Sequence, residues 1–286
     1  MFRKNNFLFI MIILLATGIF GTLWFYNTYI VPNARMSSTY MEVYQDLDAN
    51  EIKTISIDTI NNKVNVVATN DQKIKISYFQ RIDSANSFVV NKNDVSLKII
   101  ERTETPSNSF ISSTRRIDTI TIYLPAGSEV SLTNKTYEGQ LTIDGVSLNR
   151  ITASSINGAI TIRNCRVGSI DLNTNSGEVN VSDNVFSNAV IQGVTGKVTM
   201  KITDSLALYN LNIRTENGFL TINNERVRVV VDEQETVVNY MEVEREGVER
   251  SIKLTSFRGN ISLASNEEAV SNNEEATNAE SEGVQE

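Results

Sequence analysis

The second half of the chain repeats one pattern of apolar and polar positions: a glycine, one free residue, then apolar-polar-apolar. It reads Gly139-Gln140-Leu141-Thr142-Ile143, Gly158-Ala159-Ile160-Thr161-Ile162, Gly177-Glu178-Val179-Asn180-Val181 and Gly196-Lys197-Val198-Thr199-Met200, with the four glycines 19 residues apart. Gly218 and Gly259 open two more copies after steps of 22 and 41 residues. Alternation with period two predicts a short strand after each glycine. Apolar pairs seven and five residues before the glycines, such as Ile151 and Ala153 or Ile170 and Leu172, predict a second strand. Val146 and Cys165, with Leu148, Val167 and Phe186, suggest a third inward-facing segment. A fixed phase of this kind is what stacked coils require, because equivalent positions must superpose at the strand spacing of ~4.8 Å. Hairpins of a β-sandwich have no reason to keep it. The expected fold is therefore all-β, a β-solenoid with 19-residue coils, in which Gly139, Gly158, Gly177, Gly196, Gly218 and Gly259 occupy turns that a β-branched residue cannot follow without strain.

At the front, Ile55-Ser56-Ile57 and Val64-Asn65-Val66 reproduce the strand pair with Asn62 in the glycine place. Asn tolerates a positive φ better than other side chains, which fits a turn there. Alternating runs continue to Leu124 around a polar loop from Thr103 to Arg116, so residues 51–125 are expected to form a β region capping the solenoid of residues 126–264.

The N-terminus reads differently. No charged residue occurs from Asn5 to Ala34, and Phe7 to Tyr26 is almost wholly apolar, enough for the ~20 residues that cross a bilayer. Arg3 and Lys4 precede this run, and Trp24, Phe25, Tyr26 and Tyr29 end it as an aromatic belt. The expectation is a cytoplasmic segment over residues 1–6, a transmembrane helix over 7–31 and an extracytoplasmic remainder, making a single-pass cell-membrane protein held in the lipid bilayer by its helix. A cleaved signal peptide would be shorter and end in small residues. Met36, Tyr40, Val43, Tyr44 and Leu47 fall at helical spacing, so residues 32–50 read as a linker or a short helix.

Composition narrows the chemistry. Of 286 residues none is His, Cys165 is the single cysteine, and the net charge is -8. Histidine-dependent triads, zinc fingers and an internal disulfide are excluded. Seven Glu with no Lys, Arg or Asp lie between Ser265 and Glu286, so this tail reads as a disordered acidic segment carrying most of the net charge. The rest is nearly neutral and lacks the clustered basic residues of a nucleic-acid surface.

The anchor, the Ile55-Ser56-Ile57 opening, Ile122-Tyr123-Leu124-Pro125 followed by Gly127, and the recurrent glycine steps together resemble the bacterial putative-adhesin family of β-strand-repeat proteins, the LiaG-like group of unknown function. The resemblance spans Glu51 to Ala264. It implies a cell-envelope protein connected with adhesion or envelope stress, and it implies no reaction.

Aligned periods reveal no catalytic pair. A polysaccharide-active β-helix, lyase or hydrolase, needs two carboxylates ~5–9.5 Å apart. The outward columns instead predict Asp144 beside Arg163 and Glu178 beside Lys197, ladder ion pairs of small individual worth. Cys165 aligns with Val146 as a small buried hydrophobe. No cofactor, metal or catalytic residue is assigned. The sequence reading is a non-enzymatic binding module with an envelope protein or glycan as partner, and Tyr137 and Phe219 are its only aromatic candidates for surface contact.

Overall fold

The computed structural model describes residues 40–49, 51–81, 88–101, 119–227, 229–231 and 237–266. Among these every element is a strand, apart from a 3₁₀ turn at Leu206–Leu208. The first seven strands are β1 (Tyr40–Asp48), β2 (Thr54–Thr59), β3 (Lys63–Thr69), β4 (Lys73–Arg81), β5 (Phe88–Lys92), β6 (Ser96–Glu101) and β7 (Thr119–Pro125). The regular middle comprises β8 (Ser131–Thr136), β9 (Leu141–Asp144), β10 (Ser147–Ser155), β11 (Ile160–Arg163), β12 (Arg166–Thr174), β13 (Val179–Gly193) and β14 (Val198–Ile202). Last come β15 (Asn210–Thr215), β16 (Leu220–Ile222), β17 (Glu225–Arg226), β18 (Val229–Val231), β19 (Val237–Val243), β20 (Ser251–Ser256) and β21 (Ile261–Ser265).

Two sheets run side by side through the whole stack. In one, β8, β10, β12, the second half of β13, β20 and β15 are successive parallel neighbours, preceded by β2 and β6. In the other, β7, β3, β9, β11, the first half of β13, β14, β21 and β16 follow one another in parallel. Each coil contributes one strand to each sheet. Antiparallel strands close both ends: β5 on β6 and β4 with β1 on β7 at the front, β19 with β18 on β15 and β17 on β16 at the back.

The register is that of a 19-residue phase: Ile143 pairs with Ile162, Ile162 with Val181 and Val181 with Met200. These four are at most 1% exposed and form one inward column, extended by Val66 and Leu263. Each such side chain contributes ~1.5–3 kcal/mol of burial. Their neighbours Thr142, Thr161, Asn180 and Thr199 are not buried as residues, as strand alternation requires.

Five expectations are revised. First, residues 40–48 form β1, antiparallel to β4, in place of the linker or short helix; a sheet edge needing pairing outweighs a weak helical spacing. Second, residues 51–125 cap the stack only in part: β4 and β5 cover its front end, whereas β2 and β3 are an ordinary coil in register with β8 and β9. Third, the irregular glycine steps reflect coils out of order: β20 and β21 lie between β13–β14 and β15–β16, so Gly196 and Gly218 flank Gly259 rather than each other. Fourth, the third inward segment is present but is not a strand of its own; Leu148 and Val167 are buried at the start of β10 and β12 and Phe186 in the middle of β13, and these strands continue into the first sheet.

Fifth, the repeat glycines are required for a different reason. None has a positive φ. A Cβ at Gly177 would lie 2.0 Å from the carbonyl oxygen of Gly158, and the equivalent distances at the other five are 1.7–2.1 Å, so the corner has no room for a side chain. The left-handed backbone sits at the opposite corner, six residues on, at Gly145 (φ 70°), Asn164 (56°), Asp183 (56°) and Asn224 (66°). Glycine, Asn and Asp are the residues that accept it.

The expected transmembrane span over 7–31, the polar loop and nearly all of the acidic tail lie outside the described residues. Among the described residues no helix is long and apolar enough to cross a membrane.

Two stability predictions follow from the columns. Ile162→Ala should cost ~2–4 kcal/mol in chemical denaturation, since neighbouring coils cannot close the gap, and Thr161→Ala less than ~1 kcal/mol; a larger loss at Thr161 would overturn the register. Asn134 lies in an inward column between Ile57 and Ala153, 1% exposed, and its amide finds no hydrogen-bond partner among the described residues. Asn134→Leu removes that unmet polar group and should raise stability by ~1–3 kcal/mol, a gain read as a higher denaturation midpoint at unchanged slope.

Candidate functional site

The glycine corner builds a surface as well as a core. Three residues before several glycines a Ser or Thr turns inward: Thr174 Oγ1 accepts the Gly177 N–H at 2.9 Å, Ser256 Oγ accepts that of Gly259 at 2.8 Å, and Ser155 Oγ donates to the Gly158 carbonyl at 2.7 Å. With that residue and the glycine held inside, the position between them, two before the glycine, points out. It carries Tyr137, Ile156, Asn175, Val194, Phe257 and Glu216 in spatial order. Backbone bonds tie the row together: the N–H of Ile156 donates to Thr136 O at 3.3 Å, Val194 to Thr174 O at 3.1 Å and Phe257 to Gly193 O at 3.2 Å. Tyr137, Ile156, Val194 and Phe257 are 50, 40, 42 and 43% exposed, forming a convex apolar ridge along the stack.

Of the two surface candidates read from the sequence, Tyr137 belongs to this ridge. Phe219, 52% exposed, lies just past the glycine of its own coil, five coils from Tyr137 or ~24 Å along the stack, so the structure does not bring them together. The Phe219 backbone N–H donates to Asn260 Oδ1 at 2.9 Å in the adjacent coil, three residues past Phe257. Ile156, Val194 and Phe257 were missed because each looks like an isolated hydrophobe; only alignment on the glycines places them in one row.

Several carboxylates are spent on pairing. Asp144 accepts from Arg163 at 2.9 Å and Asn164 at 3.0 Å. Partial burial pushes its carboxyl up, but these hydrogen bonds and the Arg163 charge outweigh it and hold the group below the usual carboxylate value. Glu178 and Lys197 form no ion pair, in contrast to the expected ladder. Glu101 is 8% exposed, and its Oε2 accepts the backbone N–H groups of Ile60, Asn61 and Asn62, fastening the first coil. Burial pushes the Cys165 thiol up and leaves it inert.

A shallow open depression of about 580 Å³ crosses the strand bend, floored by Leu148, Val167 and Phe186 and rimmed by Glu129, Arg166 and Arg250. It holds one carboxylate, so the two-carboxylate arrangement of a glycosidase is not assembled there. Arg250 is committed to structure: its Nη2 donates to Asp204 at 2.6 Å, Phe186 O at 2.7 Å and the Tyr209 hydroxyl, and its guanidinium lies 4.2 Å from the Tyr209 ring centre. Among the described residues no group of three or more Cys, Asp or Glu is placed to hold a metal.

A family model described as Toastrack DUF4097 matches residues 52–285. The chain belongs to that family. The match agrees with the resemblance to putative adhesins read from the sequence. Similar solved structures include a putative cell adhesion protein from Clostridium sporogenes, 15% identical, covering 79% of this chain and 99% of that one, with a TM-score of 0.47. A putative adhesin from Bacteroides fragilis is 11% identical over 79% and 97%, with a TM-score of 0.43. A putative lipid binding protein from Parabacteroides distasonis is 11% identical over 79% and 96%, with a TM-score of 0.35. No curated protein matches this Toastrack chain.

Tyr209 supplies a pH test of the Arg250 cluster. Burial, with Asp204 adding and Arg250 opposing, pushes its hydroxyl up to about 12 from the ordinary 10.0. The neutral phenol is favoured in the folded state, so its contribution is complete below pH ~10 and is lost as pH rises toward ~12. Between those values Tyr209→Phe should lose less stability than the parent, and parallel losses would contradict the cluster.

Proposed function

We propose that this chain is a membrane-anchored, extracytoplasmic β-solenoid that acts as a non-enzymatic binding module of the cell envelope. The corner ridge carries the reading: four large apolar side chains stand exposed in one row on a backbone with no freedom to withdraw them. Exposed apolar side chains gathered in one row mark an interaction site more often than scattered single hydrophobes do. The pairing of Asp144 and the single carboxylate of the depression support a binding role over hydrolysis or lyase chemistry. The uncharged run from Asn5 to Ala34 supports the anchor, with Arg3 and Lys4 on its cytoplasmic side.

The test uses the full chain in intact cells. Protease added to sealed spheroplasts should reach the large domain; protection until lysis would overturn the topology. A photo-crosslinking residue at Ile156 or Val194 should capture an envelope component several-fold more often than one at Asp171 on the outer face of the first sheet. Equal capture at all three positions would remove the ridge as the binding surface.

A further inference from the structure

We propose that the rear half of the ridge is a lipid-facing edge that seats on an anionic bilayer interface, with Val194, Phe257 and Phe219 entering the headgroup region and Lys197, Arg226 and Arg258 meeting the phosphates. This names a partner for the ridge and rests on the binding reading above.

The three apolar residues come from successive coils, those of β14, β21 and β16. The N–H of Arg258 donates to Val194 O at 2.7 Å and that of Asn217 to Phe257 O at 2.9 Å, so their coils are successive, one strand spacing of ~4.8 Å apart along the stack, and Phe219 follows Asn217 by two residues. They are 42, 43 and 52% exposed on a convex edge. A protein partner would need a matching groove for such an edge. A fluid interface needs none, and apolar side chains lying in it reach ~5–10 Å into the headgroup and acyl boundary.

The charges favour an anionic surface. The Arg226 guanidinium lies 4.0 Å from the centre of the Phe219 ring, and that of Arg258 5.2 Å from the Phe257 ring. Stacking holds each cation beside the aromatic it accompanies. Among the described residues neither arginine, nor Lys197, forms an ion pair, whereas the Arg214 charge is already met by Glu216 at 3.6 Å. An arginine fork fits a phosphate in two-point contact, and juxtamembrane basic residues are drawn to anionic leaflets. The front half differs: Glu138 lies beside Tyr137, and Glu178 follows Gly177 in the middle coil. Repulsion there confines the contact to the rear.

The experiment places the full chain in nanodiscs of phosphatidylglycerol with phosphatidylcholine, or of phosphatidylcholine alone. An environment-sensitive fluorophore is attached to Val194→Cys or, as control, Asp171→Cys; Cys165 is buried and stays unlabelled. The Val194 label should shift to shorter wavelength and be quenched several-fold more by brominated lipids than the Asp171 label, and only with the anionic lipid. Phe219→Ser with Phe257→Ser should abolish the difference, and Gln at Lys197, Arg226 and Arg258 should abolish its dependence on the anionic lipid. Equal quenching at both sites, or quenching indifferent to headgroup charge, would overturn the proposal. If ridge crosslinks to a protein persist in cells while the nanodisc shift is absent, the lipid assignment falls and the binding reading stands; if both are absent, both fall.

Discussion

Backbone contact between consecutive coils at one corner governs the architecture. Each repeat glycine lies so close to the backbone carbonyl of the adjacent coil, that of another repeat glycine or, at Gly139, of Asn62, that a methyl group would overlap that oxygen, and in several coils a Ser or Thr three residues earlier fastens the turn from inside. With the corner closed to a side chain, the rise per coil equals the spacing of hydrogen-bonded strands, and both sheets inherit one register. The inward columns follow, because residues two apart in a strand share a face and equivalent positions in neighbouring coils must meet. The ridge follows from the same contact. A residue two before the closed glycine corner is displayed toward solvent at a fixed interval.

The stack is not wound in chain order. Near each end one coil is inserted between two others: β2–β3 between β7 and β9, and β20–β21 between β14 and β16. The inserted rear coil is fixed at its entry by Arg250, which reaches the Phe186 carbonyl in β13, Asp204 and Tyr209. Three chain segments distant in sequence therefore meet on one guanidinium, and Tyr209, fully buried, packs on Phe186 with ring centres 5.4 Å apart. Beyond the inserted coils, antiparallel strands cover the last parallel ones. Open parallel edges invite further pairing, and a change of direction is one way to end it.

What could be read in the sequence divides along the same physical line. The Gly-x-apolar-polar-apolar copies revealed the strands, their facing and the middle register, because a strict phase arises only where consecutive coils stack in order. The steps of 22 and 41 residues hid the insertion, since a phase records distance along the chain while the coil of Gly259 is placed by its neighbours in space. The left-handed corner is legible in the sequence at Gly145, Asn164 and Asp183, all residues that tolerate positive φ at one offset, but the more regular glycine column draws the backbone requirement to the other corner. Tyr137 was recognised as exposed, but the row it belongs to depends on hydrophobes of different kinds sharing an offset of two before the glycine. Asn134 could not have been found in this way, because an amide inside an apolar column has no sequence signature distinct from an amide on the surface.

Core and display occupy different offsets of one repeat, and this separates their constraints. The inward column of Val66, Ile143, Ile162, Val181, Met200 and Leu263 varies only among apolar residues of similar volume, and the six repeat glycines have no room for a Cβ. The ridge offset holds Tyr, Ile, Asn, Val, Phe and Glu in successive coils, side chains that stand partly in solvent outside the inward columns. Surface chemistry can therefore vary coil by coil on an unvarying spacing, acidic near Tyr137 and basic near Phe257. A ligand that meets this edge is selected by the order of side chains along it, whereas the distance between them is set by the backbone contact at the glycines.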